Sequence, residues 1–351
     1  MSSINIFEKI GKKRVPILIT LLWLLLGIAG SGVATYSYLN HTAEVKKQTA
    51  SPVTATDKVE CTESMSSLSG YHLIKPLLDA KRECESESLS SIKGDLGNYI
   101  DQQKQAGIIS SASVSIRVLS GDEWTSVNDD ETYYPGSLIK LPMLIAFLRM
   151  EEAKPGFLDQ KVTYTGKGIT NIKQTFETKS IETGHSYTLR ELLEYMVAYS
   201  DNNATQLLNG YMKIDAINRV FTDIGLTPPP ANADYFKYKI SAKDISKFII
   251  GIYNSSFLSN SASEFAAELL TKSDFKDGLV KQLPPNVKVA HKFGEAGQNT
   301  GVELHETGII FIEGKPYQIT IMTRGTDIKK QADIISQLSK MVYDRLFVPI
   351  V

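Results

Sequence analysis

Tyr134-Pro135-Gly136-Ser137-Leu138-Ile139-Lys140 is the stretch on which the reading of this chain turns. Pro135 and Gly136 break the segment before them, and the run 138–152 that follows carries a helical pattern. Ser137 is therefore expected in the first turn of a helix, with Lys140 three residues on and on the same face. A helix start offers free N–H groups and the positive end of the helix dipole. A serine alcohol is a weak nucleophile until a base takes its proton, and a lysine serves as that base once burial lowers its pKa. Ser-x-x-Lys recurs at Ser90/Lys93 and Ser273/Lys276, so the spacing alone proves little.

Outward from this centre the pattern runs strands, helices, strands. Residues 89–105 have a helical period (Leu89, Ile92, Leu96, Tyr99, Ile100) that stops at Gly107. Ser113 to Leu119 alternates like a strand, Gly121-Asp122 turns, and 123–127 returns. A helical block follows over 138–152, 189–199 with Thr188 as N-cap, 203–211, 214–224, 242–253 and 262–270. Strand patterns come back at 287–292, 302–312 and 317–323, and an amphipathic helix at 328–346 closes the chain. Strands at both ends around a helical middle predict an α/β (α+β) three-layer sandwich. Its antiparallel sheet is built from both chain ends and flanked by helices, with an all-helical subdomain.

The N-terminus has a different character. Lys12-Lys13-Arg14 precedes an apolar run from Val15 to about Val33, with no Asp, Glu, Lys or Arg until Glu44. Such a run is long enough to span a bilayer. The basic cluster predicts a cytoplasmic tail at 1–14, a transmembrane anchor at 15–36 and export of everything after it. A cleaved signal peptide is the rival reading, with Gly32-Val33-Ala34 as small residues at a cleavage site, but the run exceeds a usual signal core. Residues 37–70 read as an exported tether and 71–351 as the folded domain. Export permits a disulfide between Cys61 and Cys84. A net charge of −1 gives no overall attraction to phosphate, which argues against nucleic acid as a partner. No cofactor and no metal is expected; His305 and Glu306 share a strand but lack a third ligand at metal spacing.

Two further motifs bear on chemistry. Ser200-Asp201-Asn202 follows the 189–199 helix. Its hydroxyl can relay a proton, and the Asn202 amide can hold a substrate carbonyl or steady the lysine; helix capping is the competing reading. His291-Lys292-Phe293-Gly294 ends the 287–292 strand. Lys292 offers a charge for a substrate carboxylate and Gly294 lets backbone approach closely; an ordinary strand-edge lysine beside a turn is the alternative.

Taken in order, Ser-x-x-Lys, Ser-Asp-Asn and Lys-x-Gly resemble the class A β-lactamases and penicillin-binding proteins, over roughly 71–347. Leu141-Pro142-Met143, Lys288-Val289-Ala290-His291-Lys292 and Gly308-Ile309-Ile310 agree with that resemblance. It implies a β-lactamase/transpeptidase-like fold and an acyl-enzyme at Ser137, formed with a β-lactam or a D-alanyl-D-alanine-type peptide of the cell wall. Lys140 would be the base, Ser200 the proton shuttle and Asn202 a substrate contact. The N–H groups of Ser137 and Glu295 would form the oxyanion hole, and Lys292, beside Gly294, would hold the substrate carboxylate. With the N-terminal anchor as the single span of the cell membrane, the catalytic domain is expected on the extracytoplasmic side.

The chain departs from that family in two places. Class A enzymes carry an Ω-loop glutamate that activates the deacylating water, whereas 226–240 has no glutamate and only Asp234 as a carboxylate. Slow release follows: a D,D-peptidase or penicillin trap rather than an efficient β-lactamase. Phe293 replaces the usual Thr or Ser, removing a hydroxyl and adding expected bulk at the rim. Arg324 would restore a carboxylate partner, unless it is a solvated strand-end charge. A non-turnover sensor or binding domain is the competing function. The complete Ser137, Lys140, Ser200, Asn202, Lys292 set weighs against it, as does a tail too short to signal.

Overall fold

The strand patterns from the two ends of the chain meet in one sheet. The computed structural model describes residues 64–67, 72–74, 77–81, 85–121, 123–166, 174–176, 179–230, 238–298 and 301–347. The expected anchor at 15–36, Cys61, Cys84 and Asp234 lie outside the described residues. Among the described residues no helix is long and apolar enough to cross a membrane.

Strands β1 (Ser64–Ser67) and β2 (Leu77–Lys81) pair with each other, so paired backbone already occurs within the stretch read as a tether. Then come α1 (Ser90–Gln105), β3 (Ile109–Val118), β4 (Trp124–Val127) and β5 (Thr132–Tyr133). A 3₁₀ turn, Gly136–Ile139, leads into α2 (Lys140–Ala153). Paired strands β6 (Lys161–Thr163) and β7 (Ser186–Thr188) precede α3 (Leu189–Ala198), α4 (Asn202–Asn209) and α5 (Ile214–Asp223). β8 (Ile240–Ser241) pairs with β5 and is followed by α6 (Ala242–Tyr253) and α7 (Asn260–Thr271). The chain ends in β9 (Lys288–Gln298), β10 (Gly301–Phe311), β11 (Tyr317–Gly325) and α8 (Ile328–Phe347).

The central sheet has the order β4-β3-β11-β10-β9, with every neighbour antiparallel. Its two faces bury different layers. On one, Val114, Ile319, Ile321 and Leu304 pack against Leu96 and Ile100 of α1 and Leu338 and Val342 of α8. On the other, Ala290, Ile309 and Met322 meet the helical block, including Leu144 and Ile145 of α2 and Phe248 of α6. Each of the larger buried side chains contributes on the order of 1.5–3 kcal/mol. α2 is buried on every side from Lys140 to Leu148, as a helix at the centre of a domain must be.

Local chemistry sets the element ends that matter. Thr188 and Glu191 form a reciprocal capping box on α3, with bonds of 3.1 Å and 2.7 Å. The helix bearing Lys140 starts later than its pattern suggested. Gly136 takes φ +53°, and Leu138 N–H donates to the Pro135 carbonyl at 3.0 Å. The turn closes i to i+3, so Ser137 sits in a 3₁₀ turn and Lys140 opens the α-helix.

Candidate active site

Ser137, Lys140, Ser200 and Lys292 are brought together from three elements, and all are buried: 7%, 0%, 0% and 1% exposed. In the other two Ser-x-x-Lys copies the lysine is exposed, although Ser273 itself is buried. Lys93 pairs with Glu85 at 2.8 Å in an exposed contact, and Lys276 folds back to the Ser273 carbonyl.

The lysine on α2 is held from the turn between α3 and α4. Lys140 Nζ donates to the Ser200 carbonyl at 2.6 Å and to Asn202 Oδ1 at 2.9 Å, and lies 3.3 Å from Ser200 Oγ. Burial lowers its pKa to about 7, against a smaller raising effect of Asp201. A neutral amine has two hydrogens and one lone pair. With two carbonyl oxygens accepting the hydrogens, the lone pair remains for an incoming proton.

Lys292 reaches the same hydroxyl from β9. Its Nζ donates to Ser200 Oγ at 2.8 Å and to the Phe293 carbonyl at 2.9 Å. Burial, and then the nearby Lys140, push its pKa well below the usual lysine value, while Glu306, Asp274 and Glu295 act in the opposite direction. Because Lys292 donates to Ser200 Oγ, the Ser200 proton is directed elsewhere. Ser200 adopts φ +53°, a left-handed conformation that a non-glycine residue rarely takes and that clusters at functional sites.

Capping and site geometry divide among the residues of Ser200-Asp201-Asn202. Asp201 is the N-cap of α4, accepting from Asn203 N–H and Ala204 N–H. It also accepts from Ser180 Oγ at 2.9 Å and Ile181 N–H at 3.0 Å. Its neighbours on either side are left to face Lys140.

The turn bearing Ser137 lies against β9 with no room for side chains. A methyl group at Gly294 would come within 3.0 Å of Ser137 N and 2.6 Å of the Pro135 carbonyl oxygen; one at Gly136 would meet the Glu295 carbonyl oxygen at 2.2 Å. Two backbone segments, 135–138 and 294–295, thus stand side by side, which brings the main chains of Ser137 and Glu295 close to each other.

Two sequence expectations need correction. Phe293 does not add bulk at the rim: it is 1% exposed and stacks on Phe275, centroids 4.3 Å apart. The ring belongs to the α1/α8 core, and Lys292 Nζ lies over it, 4.5 Å from its centroid, so Phe293 backs the site lysine from inside the core. Nor is Arg324 a free carboxylate partner. Its guanidinium donates to Glu303 at 2.6 Å, Glu131 at 2.7 Å and the Thr132 carbonyl at 2.8 Å.

That arginine belongs to a support that sequence reasoning missed. Glu303 accepts from Tyr134 N–H at 2.8 Å, and His305 Nε2 donates to the Tyr134 carbonyl at 2.9 Å. His305 Nδ1 accepts from Thr323 N–H. The residue three before Ser137 is therefore gripped at both main-chain ends. Partners 169 and 171 residues away leave no local signal. His305 and Glu306 point to opposite faces of β10; Glu306 pairs with buried His291 at 2.5 Å.

A buried serine, a lysine whose pKa is lowered to about 7 and a hydroxyl between two amines are the groups that an acyl transfer would need. The model of the beta-lactamase enzyme family matches residues 96–346. The chain belongs to that family of serine hydrolases. A beta-lactamase of Bacteroides uniformis is 23% identical over 288 residues, spanning 74% of this chain and 93% of the relative. A beta-lactamase structure from Chitinophaga pinensis superposes with TM-score 0.63 at 19% identity, covering 73% of this chain and 99% of that one. A PBP-A mutant, solved as an acyl-enzyme complex with penicillin G, gives 0.62 at 19% identity, over 75% and 99%.

Proposed function

We propose that this chain opens the amide bond of β-lactams or D-alanyl-D-alanine-type peptides through an ester at Ser137, and releases that ester slowly. The observation that carries the reading is the arrangement around Lys140, an amine lowered to about 7 whose hydrogens are taken by the Ser200 carbonyl and Asn202. Lys140 accepts the Ser137 proton as Oγ attacks the substrate carbonyl. The tetrahedral oxyanion receives the N–H groups of Ser137 and Glu295. Ser200 passes its proton to the departing nitrogen and regains one from Lys140, so the C–N bond breaks and an ester remains. Lys292, beside Gly294, receives the substrate carboxylate.

Substrate class follows from the family, from the relative named as a beta-lactamase, and from the penicillin G adduct of PBP-A. Slow release follows from the lack of glutamate in 226–240. Residues 12–36, basic then apolar, support a domain held by one membrane span on the extracytoplasmic side. The same missing glutamate favours, as a second reading, a non-turnover penicillin-binding or sensor domain.

Intact mass after incubation with a fluorescent penicillin, a chromogenic cephalosporin and a D-alanyl-D-alanine peptide tests this. An adduct absent from Ser137→Ala that decays with product release supports slow hydrolysis; one that persists supports the binding domain. No adduct with any of the three would overturn the nucleophile assignment.

A further inference from the structure

Residues 174–176 form a strap joining the two walls of the site. At one end, Gln174 Nε2 donates to the Ser200 carbonyl at 3.2 Å, the same oxygen that takes the shortest bond from Lys140. At the other, the N–H groups of Thr175 and Phe176 both donate to the Glu295 carboxylate, at 2.9 Å and 3.1 Å. Phe176 then sets its ring edgewise on Phe275, centroids 4.9 Å apart, and on Phe293 at 6.4 Å. The strap is thus fastened to the α3–α4 turn and to β9, the elements that converge on Ser137, which retains 7% exposure.

Glu295 occupies two positions in this arrangement. Its main chain lies against Gly136 in the nucleophile turn, and its carboxylate takes two N–H bonds from the strap, a charge-assisted grip stronger than a neutral one. We infer that Glu295 is a specificity-determining residue. Its carboxylate fastens residues 174–176 across the approach to Ser137, admitting compact acyl donors and excluding those with bulky groups next to the scissile carbonyl. The inference rests on Ser137 being the acylated residue. Access to that position, however, is measurable without any catalysis.

The test uses the Ser137→Cys protein and thiol-reactive methanethiosulfonates carrying a methyl or a bulky aromatic group. Each rate is normalised to free cysteine and counted beyond the label taken by the Ser137 parent. The bulky reagent should be disfavoured by about tenfold, the scale on which shape discriminates in a pocket. Adding Glu295→Ala should recover most of that factor and barely change the methyl rate, with Glu295→Gln, which keeps one acceptor oxygen, in between. Hydrogen exchange at the Thr175 and Phe176 amides should quicken in Glu295→Ala. Unchanged exchange would show that the carboxylate does not hold the strap. Quickened exchange with an unchanged size ratio would show that the strap does not gate entry; either result overturns the proposal. Parallel acylation of the Ser137 protein by small and bulky β-lactams separates the two claims. Size-gated labelling without acylation leaves the strap standing and removes the nucleophile reading.

Discussion

Lys292 donates to the Ser200 hydroxyl at 2.8 Å, although the two residues are 92 positions apart. With Lys140 on its other side at 3.3 Å, that hydroxyl is placed between two buried amines. In the proposed mechanism that hydroxyl is the group that would hand a proton to the departing nitrogen.

Ser200→Ala should cut that path while leaving Lys140 bonded to the residue 200 carbonyl and to Asn202. Formation of the Ser137 ester should slow by roughly 10²–10⁴-fold, the usual worth of a positioned proton-transfer group. Stopped-flow acylation measures it; an unchanged rate would remove Ser200 from the mechanism.

The lowered pKa of Lys140 has two pH consequences. Acylation requires the neutral amine, so its rate should climb between about pH 6 and 8, with its midpoint at about 7, and level off beyond that range. Stability should move the same way. Between about 7 and the ordinary 10.5 the unfolded chain binds the proton and the native state does not, so unfolding free energy rises with pH by up to about 1.4 kcal/mol per unit. Lys140→Met should flatten that slope in urea titrations run from pH 7 to 9.5.

Gly294→Ala inserts a methyl group where Ser137 N and the Pro135 carbonyl oxygen stand at 3.0 Å and 2.6 Å. Backbone cannot yield as a flexible side chain does, so β9 and the nucleophile turn must separate. Thermal melts should show a loss of about 1–3 kcal/mol, and ester formation should fall further than that loss explains. A variant with normal acylation would show that this contact does not set the site.

Arg324→Ala should act on stability rather than on carboxylate recognition. It releases Glu303, Glu131 and the Thr132 carbonyl, and a cost of about 1–2 kcal/mol follows from the lost charge-assisted bonds of a half-buried network. Affinity for a carboxylate-bearing β-lactam, measured with acylation blocked by Ser137→Ala, should hardly change. A large selective loss of affinity would return Arg324 to the substrate site.

The elements of this fold were legible because their cues are local. The 3.6-residue period of 89–105, the cap at Thr188 and the alternation at 317–323 each depend on neighbours in the chain, and each became the expected element within a few residues. The order of Ser-x-x-Lys, Ser-Asp-Asn and Lys-x-Gly likewise pointed to one family.

By itself, then, the sequence determined the strand–helix–strand order, the family and the candidates Ser137, Lys140, Ser200, Asn202 and Lys292. The tertiary structure decided which Ser-x-x-Lys copy has its lysine buried, that Asp201 rather than its neighbours does the capping, and that Arg324 is occupied. It also set Glu303 and His305 on Tyr134, and the Glu295 carboxylate on residues 174–176. The reason is physical: a hydrogen bond is fixed by distance and direction, and partners as far apart in the chain as Lys140 and Ser200, 60 residues, or Glu131 and Arg324, 193 residues, acquire both only after the sheet and its two helical layers have closed.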